Sequence, residues 1–304
     1  MRPGRLVTAA LLLALMPAVC GAQRKPEMVL DDLGNSFPFS VPPRRIISLA
    51  PNITEILFSL GLDETIAGVT RFCDYPAEAL SKEKIGGLVD PNLEKIQALH
   101  PDLVIAFRGN PLRTLARLKE LRIPVFILQE GMRVEEVFQT IEKIGLVTGV
   151  PQRAAELIFS LKAGFGRTRE ALRNAAPSPR VFISLHGSGL WTCGRESFLN
   201  DLLEKAGAAN IAGGVSRNWL LMGRESFIQQ DPEAIIILAK SFADFEKGRK
   251  WFLSEPSFRK VAAVRNGRIF HLDENAASRF GPRLLQTLDR LARLLHPEVI
   301  VEQP

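Results

Sequence analysis

Arg45-Ile46-Ile47-Ser48-Leu49-Ala50-Pro51-Asn52-Ile53-Thr54-Glu55-Ile56-Leu57-Phe58 joins a short apolar strand directly to a helix. Pro51 to Thr54 lead into the helix, Ile56, Leu57 and Leu60 share one face, and Gly61 stops it. Downstream, Ile66–Thr70, Leu103–Phe107 and Val125–Leu128 read as further strands, with helical patterns between them. Leu103–Phe107 has no polar residue, which predicts a strand buried on both faces. Alternating strands and helices predict an α/β unit around a mostly parallel sheet. Upstream, residues 23–43 form a polar leader with a short hairpin turning at Leu33-Gly34-Asn35-Ser36.

From Pro151 to Ala176 the pattern changes. Ala154, Leu157, Ile158, Leu161, Phe165 and Leu172 recur at helical spacing, and Pro177-Ser178-Pro179 ends the run. This predicts one helix of about 25 residues, roughly 37 Å long. The β/α alternation then restarts at Arg180–Leu185 and continues through Ala234–Ala239, Arg268–Leu272 and a last helix from about Pro282 to Leu295. The halves echo each other. Leu93 to Asp102 runs into the strand Leu103–Phe107, and Arg224 to Glu233 runs into Ala234–Ala239. In both, a glutamate (Glu94, Glu225) stands seven residues before a Pro-acid pair. The fold class expected is α/β: two Rossmann-like lobes joined by one long helix, with a cleft between them. The expected boundaries are 1–22 for a signal peptide, 23–44 for the leader, 45–149 for the first lobe, 150–177 for the helix and 178–304 for the second lobe.

The remaining sequence excludes whole classes. The 304 residues are 46% hydrophobic and 24% charged, an ordinary globular composition with enough chain for two domains. A formal charge of +6, without any run of five basic residues, gives no reason to expect nucleic acid. Three cysteines and four histidines rule out a disulfide-dense scaffold and paired C-x-x-C zinc sites. Neither common phosphate-binding glycine motif occurs. No Ser–His–Asp order with supporting motifs and no close pair of acids argues for an enzyme.

The amino terminus reads as an export signal: Arg2 and Arg5, an apolar run from Leu6 to Met16, then small residues ending at Ala22. Its apolar core is too short for a stable membrane anchor, so a soluble periplasmic protein is expected. Lipid attachment at Cys20 is the alternative, although Val19 and Pro17 occupy positions where a small residue and Leu are usual.

The run Arg45–Phe58 resembles the opening of helical-backbone periplasmic binding proteins. So do Cys73-Asp74-Tyr75-Pro76, Asn92-Leu93-Glu94-Lys95-Ile96 and Pro101-Asp102-Leu103-Val104-Ile105. The likeness covers nearly all of residues 40–295 and is strongest to the cobalamin-binding members that feed ABC importers. It implies a rigid interlobe helix, a shallow cleft, delivery of a corrinoid to a membrane permease, and no catalysis or cofactor. It also implies site residues. Pro51, Phe72, Phe107 and Trp219 fall on the ligand wall, and Leu88 and Leu185 stand where the family has aromatics. Asn275 replaces an expected aspartate, and Arg279 falls on the polar side of the cleft. Glu94 and Glu225 match the glutamates that dock the permease. Cys73 and Cys193 fall in loops near the cleft on opposite lobes, as a disulfide or as two free thiols.

Without the resemblance, Phe72, Phe107 and Leu185 read as core residues at strand ends. Trp219, amid turn residues, needs a reason for exposure. His186 reads either as an axial metal ligand or as a rim histidine bonded to backbone. Tyr75, the only tyrosine, reads as a turn residue in Asp-Tyr-Pro, although some haem-carrying relatives use tyrosine on iron. A haem or ferric-siderophore carrier, a sensing receptor and an exported enzyme are the competing functions. A monomer is expected.

Overall fold

A computed structural model describes residues 28–38, 41–175, 178–185 and 189–297. The signal-like segment with Cys20, and His186, lie outside the described residues.

The leader forms the expected hairpin. β1 (Met28–Leu30) pairs antiparallel with β2 (Ser36–Pro38). The Asp31 carboxylate closes the turn by accepting from the N–H groups of Leu33 (2.9 Å) and Asn35 (2.8 Å).

The first lobe alternates β3 (Ile46–Ser48), α1 (Pro51–Ser59), β4 (Ile66–Val69), α2 (Leu93–Ala98), β5 (Leu103–Phe107), α3 (Leu112–Glu120), β6 (Val125–Leu128) and α4 (Glu136–Val147). Its four strands are parallel, in the order β4-β3-β5-β6. Pro51 opens α1 at its first position, and Asn92 caps α2 by accepting from Lys95 N–H. The hairpin lies along β6, the sheet edge. Asp32 N–H donates to Ile127 O (2.9 Å), and Phe37 packs edge-on against Phe126. A polar leader thus covers an edge that would otherwise invite another strand.

α5 (Pro151–Ala171) joins the lobes and is prolonged by a 3₁₀ turn at Leu172–Asn174. Its regular part, 21 residues, is shorter than the sequence pattern implied. Two glycines seat it. A Cβ at Gly145 of α4 would lie 2.3 Å from Ala154 Cβ, and one at Gly164 would lie 2.3 Å from Leu285. Only glycine allows both close approaches.

The second lobe runs through β7 (Arg180–Ser184), β8 (Trp191–Cys193), α6 (Phe198–Lys205), β9 (Ala209–Asn210), β10 (Trp219–Leu221), α7 (Arg224–Gln230), β11 (Ala234–Ala239), α8 (Phe242–Ser254), α9 (Ala262–Arg265), β12 (Ile269–Asp273), α10 (Glu274–Ser278) and α11 (Leu284–Leu295). Its parallel sheet has the order β12-β11-β7-β9, and β8 with β10 forms a separate antiparallel ribbon. With the ribbon set aside, both sheets follow one topology, in which the first strand lies between the second and the third. Every residue of β11 is buried, as expected for a central parallel strand. The chain is two α/β lobes joined by one long helix.

The repeat extends to single hydrogen bonds. Asp102 accepts from Arg45 N–H (3.0 Å), and Glu233 accepts from Arg180 N–H (2.9 Å). Arg45 Nε donates to Leu99 O, and Arg180 Nε donates to Gln230 O. His100 and Asp231, one residue further on, both take positive φ, 45° and 41°. The Pro-acid echo is therefore one corner built twice.

Candidate functional site

Parallel α/β sheets place their binding surfaces at the carboxyl ends of the strands. In the first lobe those ends carry Pro51, half-buried, Phe72, 43% exposed, and Phe107, half-buried. Arg71 covers the Phe72 ring at 5.1 Å and is itself held by Asp90 at 3.0 Å. Leu88 is half-buried against the core. Asn110, which sequence reasoning missed, ties this wall together. It is 3% exposed, accepts from Phe107 N–H (2.9 Å), and donates to Leu49 O (3.2 Å) and Leu88 O (3.0 Å). One buried amide therefore fixes three segments, and its place right after a Gly at a strand end was the only available sign.

In the second lobe, Leu185 is half-buried and donates its N–H to Trp191 O (2.9 Å). That bond starts the β8–β10 ribbon. Trp219 pairs with Cys193, and Trp191 with Leu221. Trp219 is 40% exposed and Trp191 46%, so the ribbon presents two tryptophans to solvent. Sequence reasoning found Trp219 and missed Trp191, although the same sign, bulk beside turn residues, marks both.

Cys73 and Cys193 are free thiols, and no bridge joins them. Each is buried in its own lobe. Cys73 Sγ receives the Thr54 hydroxyl (3.1 Å), and Asn210 lies against Cys193. Burial pushes the Cys193 thiol up to about 12, and burial also raises Cys73 despite its threonine partners. Of the two alternatives for this pair, the disulfide is the one overturned. Two closely enclosed thiols in different lobes have no common approach.

Asn275 and Arg279 both hydrogen-bond to the first lobe, Asn275 at the surface and Arg279 in the interior. Asn275 Nδ2 donates to Asp74 Oδ2 (3.1 Å). Arg279 is 9% exposed and donates to Glu55 Oε1 (2.9 Å), Asp74 Oδ1 (2.6 Å) and Phe72 O (3.1 Å). Burial disfavours its charge, but the two carboxylates prevail and hold its pKa above the ordinary arginine value. Arg283 joins the same group through Nε and Nη2 to both Glu55 oxygens, 2.9 and 2.6 Å, and lies 4.1 Å over Tyr75.

Glu94 and Glu225 are exposed, each the second residue of its helix. Among the described residues, neither carboxylate takes part in an ion pair. Among the described residues, no group of three or more His, Cys, Asp or Glu is arranged to hold a metal, and no helix is long and apolar enough to cross a membrane. A concavity of about 1540 Å³ lies along α5, lined by Phe138, Ile158 and Phe165 within a rim of both charge signs. It is built from helix flanks, away from the strand ends.

Two lobes of one topology, a joining helix and aromatic side chains at both sets of strand ends define a two-lobed ligand-binding protein. The family profile described as Periplasmic binding protein matches residues 46–276, and the chain belongs to that family. Among its relatives is an uncharacterised ABC transporter substrate-binding lipoprotein of Bacillus subtilis, YvrC, 30% identical and aligned over 97% of both chains. A vitamin B12-binding protein of Pectobacterium carotovorum is 33% identical over 64% of this chain and 71% of its own. Two solved structures share the fold. The periplasmic haem-binding protein RhuT of Roseiflexus, in apo form, superposes with a TM-score of 0.76 at 27% identity, covering 84% of this chain and 99% of its own. The periplasmic vitamin B12-binding protein BtuF of Vibrio cholerae gives 0.71 at 26%, covering 84% and 97%. These relatives are named for binding and transport.

Proposed function

We propose that this chain is an exported binding protein that captures a corrinoid, cobalamin or cobinamide, between its lobes and delivers it to an ABC importer permease. The observation that carries the reading is the aromatic pair Trp191 and Trp219 on one lobe, with Phe72 and Phe107 at the strand ends of the other. A large flat ligand with an amide fringe is buried by such walls and oriented by a few polar groups. The vitamin B12-binding relatives support the same ligand class. Glu94 and Glu225 offer one carboxylate on each lobe, at equivalent positions, which suits a permease with twofold-related basic sockets. The processed amino terminus follows Ala22, and a lipid on Cys20 is the alternative that the lipoprotein relative keeps in play.

Haem is the second reading, favoured by the haem-binding structural neighbour and by Tyr75, a phenol 41% exposed beside the proposed site. Separate titrations of the mature protein with cyanocobalamin and haemin decide, followed by absorbance and calorimetry. The expected result is 1:1 binding of cyanocobalamin. Saturation by haemin with no heat from cyanocobalamin or cobinamide overturns it.

A further inference from the structure

Leu112 and Phe242 are large apolar side chains left in solvent, 75% and 66% exposed. Each is the first residue of the helix that follows its lobe's third sheet strand, Leu112 opening α3 after β5 and Phe242 opening α8 after β11. One exposed leucine needs no explanation. Two exposed apolar residues at equivalent positions of a duplicated fold are different. The hydrogen bonds that the corners repeat serve folding, and these side chains do not. Exposed Val89 and Leu221 match as well, standing five and four residues before Glu94 and Glu225.

The topology brings each carboxylate and its apolar neighbour to one rim. α2 and α3 pack on one face of the first sheet, where Ile96 and Leu118 join a cluster with Val104 and Val125. α7 and α8 do the same on the second sheet, with Phe227 and Phe252 beside Phe182 and Ile235. α2 and α7 run into the start of the third strand, and α3 and α8 leave from its end, so all four begin on the carboxyl-end side. Glu94 and Leu112 therefore share the rim of one lobe, and Glu225 and Phe242 that of the other. Both apolar knobs stand on a firm base. Leu112 follows Pro111, next to the tied amide of Asn110. The Phe242 ring lies against Phe245 (centroids 5.5 Å) and His271 (6.5 Å), and Ser241 caps its helix by accepting from Asp244 N–H (3.1 Å).

We propose, on the reading of Glu94 and Glu225 as docking residues, that Leu112 and Phe242 are the apolar half of the permease contact. Each lobe then offers one hydrophobic knob beside one carboxylate, to an apolar hollow beside a basic socket of the membrane protein. Exposed ion pairs steer association but are screened by salt. An apolar side chain that leaves water holds the complex after contact and is little affected by screening. A knob already held in place loses little freedom on docking. The neighbouring carboxylates disfavour an anionic lipid surface as the occupant.

The test measures binding of the fluorescently labelled mature chain, made without lipid, to right-side-out vesicles of the membrane it serves. Vesicles of the extracted lipid are the control, and sodium chloride is set at about 0.05 and about 0.5 M. Leu112→Ser with Phe242→Ser should weaken binding about tenfold at both salt levels and keep the parent's helix content and cyanocobalamin affinity. Glu94→Gln with Glu225→Gln should weaken it chiefly at low salt. Leu112→Phe keeps the knob and should bind like the parent. If the serine pair does not fold, Leu112→Ser alone should weaken binding about threefold. Parent-like membrane binding by the serine variants, with the glutamine pair weakened, overturns the proposal and leaves the glutamates as docking residues. No binding by the parent, or equal binding to lipid vesicles, overturns both. Loss of cyanocobalamin affinity in the serine pair would put the knobs in the cleft. A parent dimer in sedimentation that the serine pair disperses would make a second copy the occupant. Either result also overturns the proposal.

Discussion

The first and second lobes share strand order, corner geometry and the glutamate at the start of the helix before their third sheet strand, yet they differ at their sheet ends. The first lobe spends its extra chain on a hairpin along β6. The second spends its extra chain on the β8–β10 ribbon at the end of β7. One insertion closes an edge, and the other projects aromatic surface. The shared scaffold therefore accounts for stability and symmetry, while the unshared pieces distinguish the binding wall, as expected when function is carried by segments grafted on a common fold.

The symmetry is most severely tested where it is proposed to act. Replacing Glu94 and Glu225 together by Lys should leave cyanocobalamin affinity at the parent level and abolish uptake in cells that depend on the protein, because two ammonium groups would then face the basic sockets that the carboxylates suit. Each single variant should lose part of the uptake. Full uptake by the double variant would reduce the two glutamates to ordinary helix-start acids favoured by the macrodipole.

The asymmetry of the walls gives the next largest effect. Trp219→Ala should weaken corrinoid binding by about 2 kcal/mol or more, and Trp191→Ala by about 1, with both variants folded. The smaller figure follows from position, since Trp191 is the more exposed of the two and is paired with Leu221, itself 61% exposed, whereas Trp219 is paired with the buried Cys193. Calorimetry on both variants checks this. Equal, parent-like affinities would move the site away from the ribbon.

What the sequence disclosed follows from range. Central strands such as Leu103–Phe107 and Ala234–Ala239 announce themselves by unbroken apolar runs, and α5 by helical spacing between prolines. The duplicated Pro-acid corner was visible as a local echo. The ribbon was not, because two three-residue strands far apart in the chain carry no periodicity of their own. The destinations of Arg279 and Arg283 were equally hidden. An arginine's partner more than 200 residues away leaves no pattern near either residue, so Arg279 read as a ligand anchor while the structure binds it to Glu55 and Asp74.

The corners allow a finer comparison. Asp102 accepts from two backbone N–H groups, Arg44 at 2.7 Å and Arg45 at 3.0 Å, whereas Glu233 accepts from Arg180 alone among the backbone donors. Asp102→Ala should therefore cost about 1.5 kcal/mol and Glu233→Ala about half that, since charge-assisted bonds in an exposed setting lie at the low end of their range. Urea unfolding of both variants measures the difference. Equal losses would mean that the corners are energetically as well as topologically equivalent.

The smallest effect concerns Glu130, just beyond the end of β6. Glu130 is exposed, and the next residue, Gly131, lies against Phe280 of the second lobe, so protein crowds one side of it. The protein on that side takes water from the charged form and raises the carboxyl from 4.5 to about 7, although the residue keeps contact with solvent. The unfolded chain ionises this group near 4.5, while the folded protein keeps the proton until about pH 7. Between those values the folded state binds more protons than the unfolded one, so stability falls as pH rises, and the loss is complete above about pH 7. At the end of the matching strand, β12, Asp273 instead caps α10 by accepting from Ala276 N–H. Glu130→Gln should remove the slope. Its melting temperature relative to the parent should rise from pH 4.5 to 7 and then stay level, a difference read by thermal melts at a series of pH values. A constant gap across that window would mean that the carboxylate is as well solvated as any surface acid.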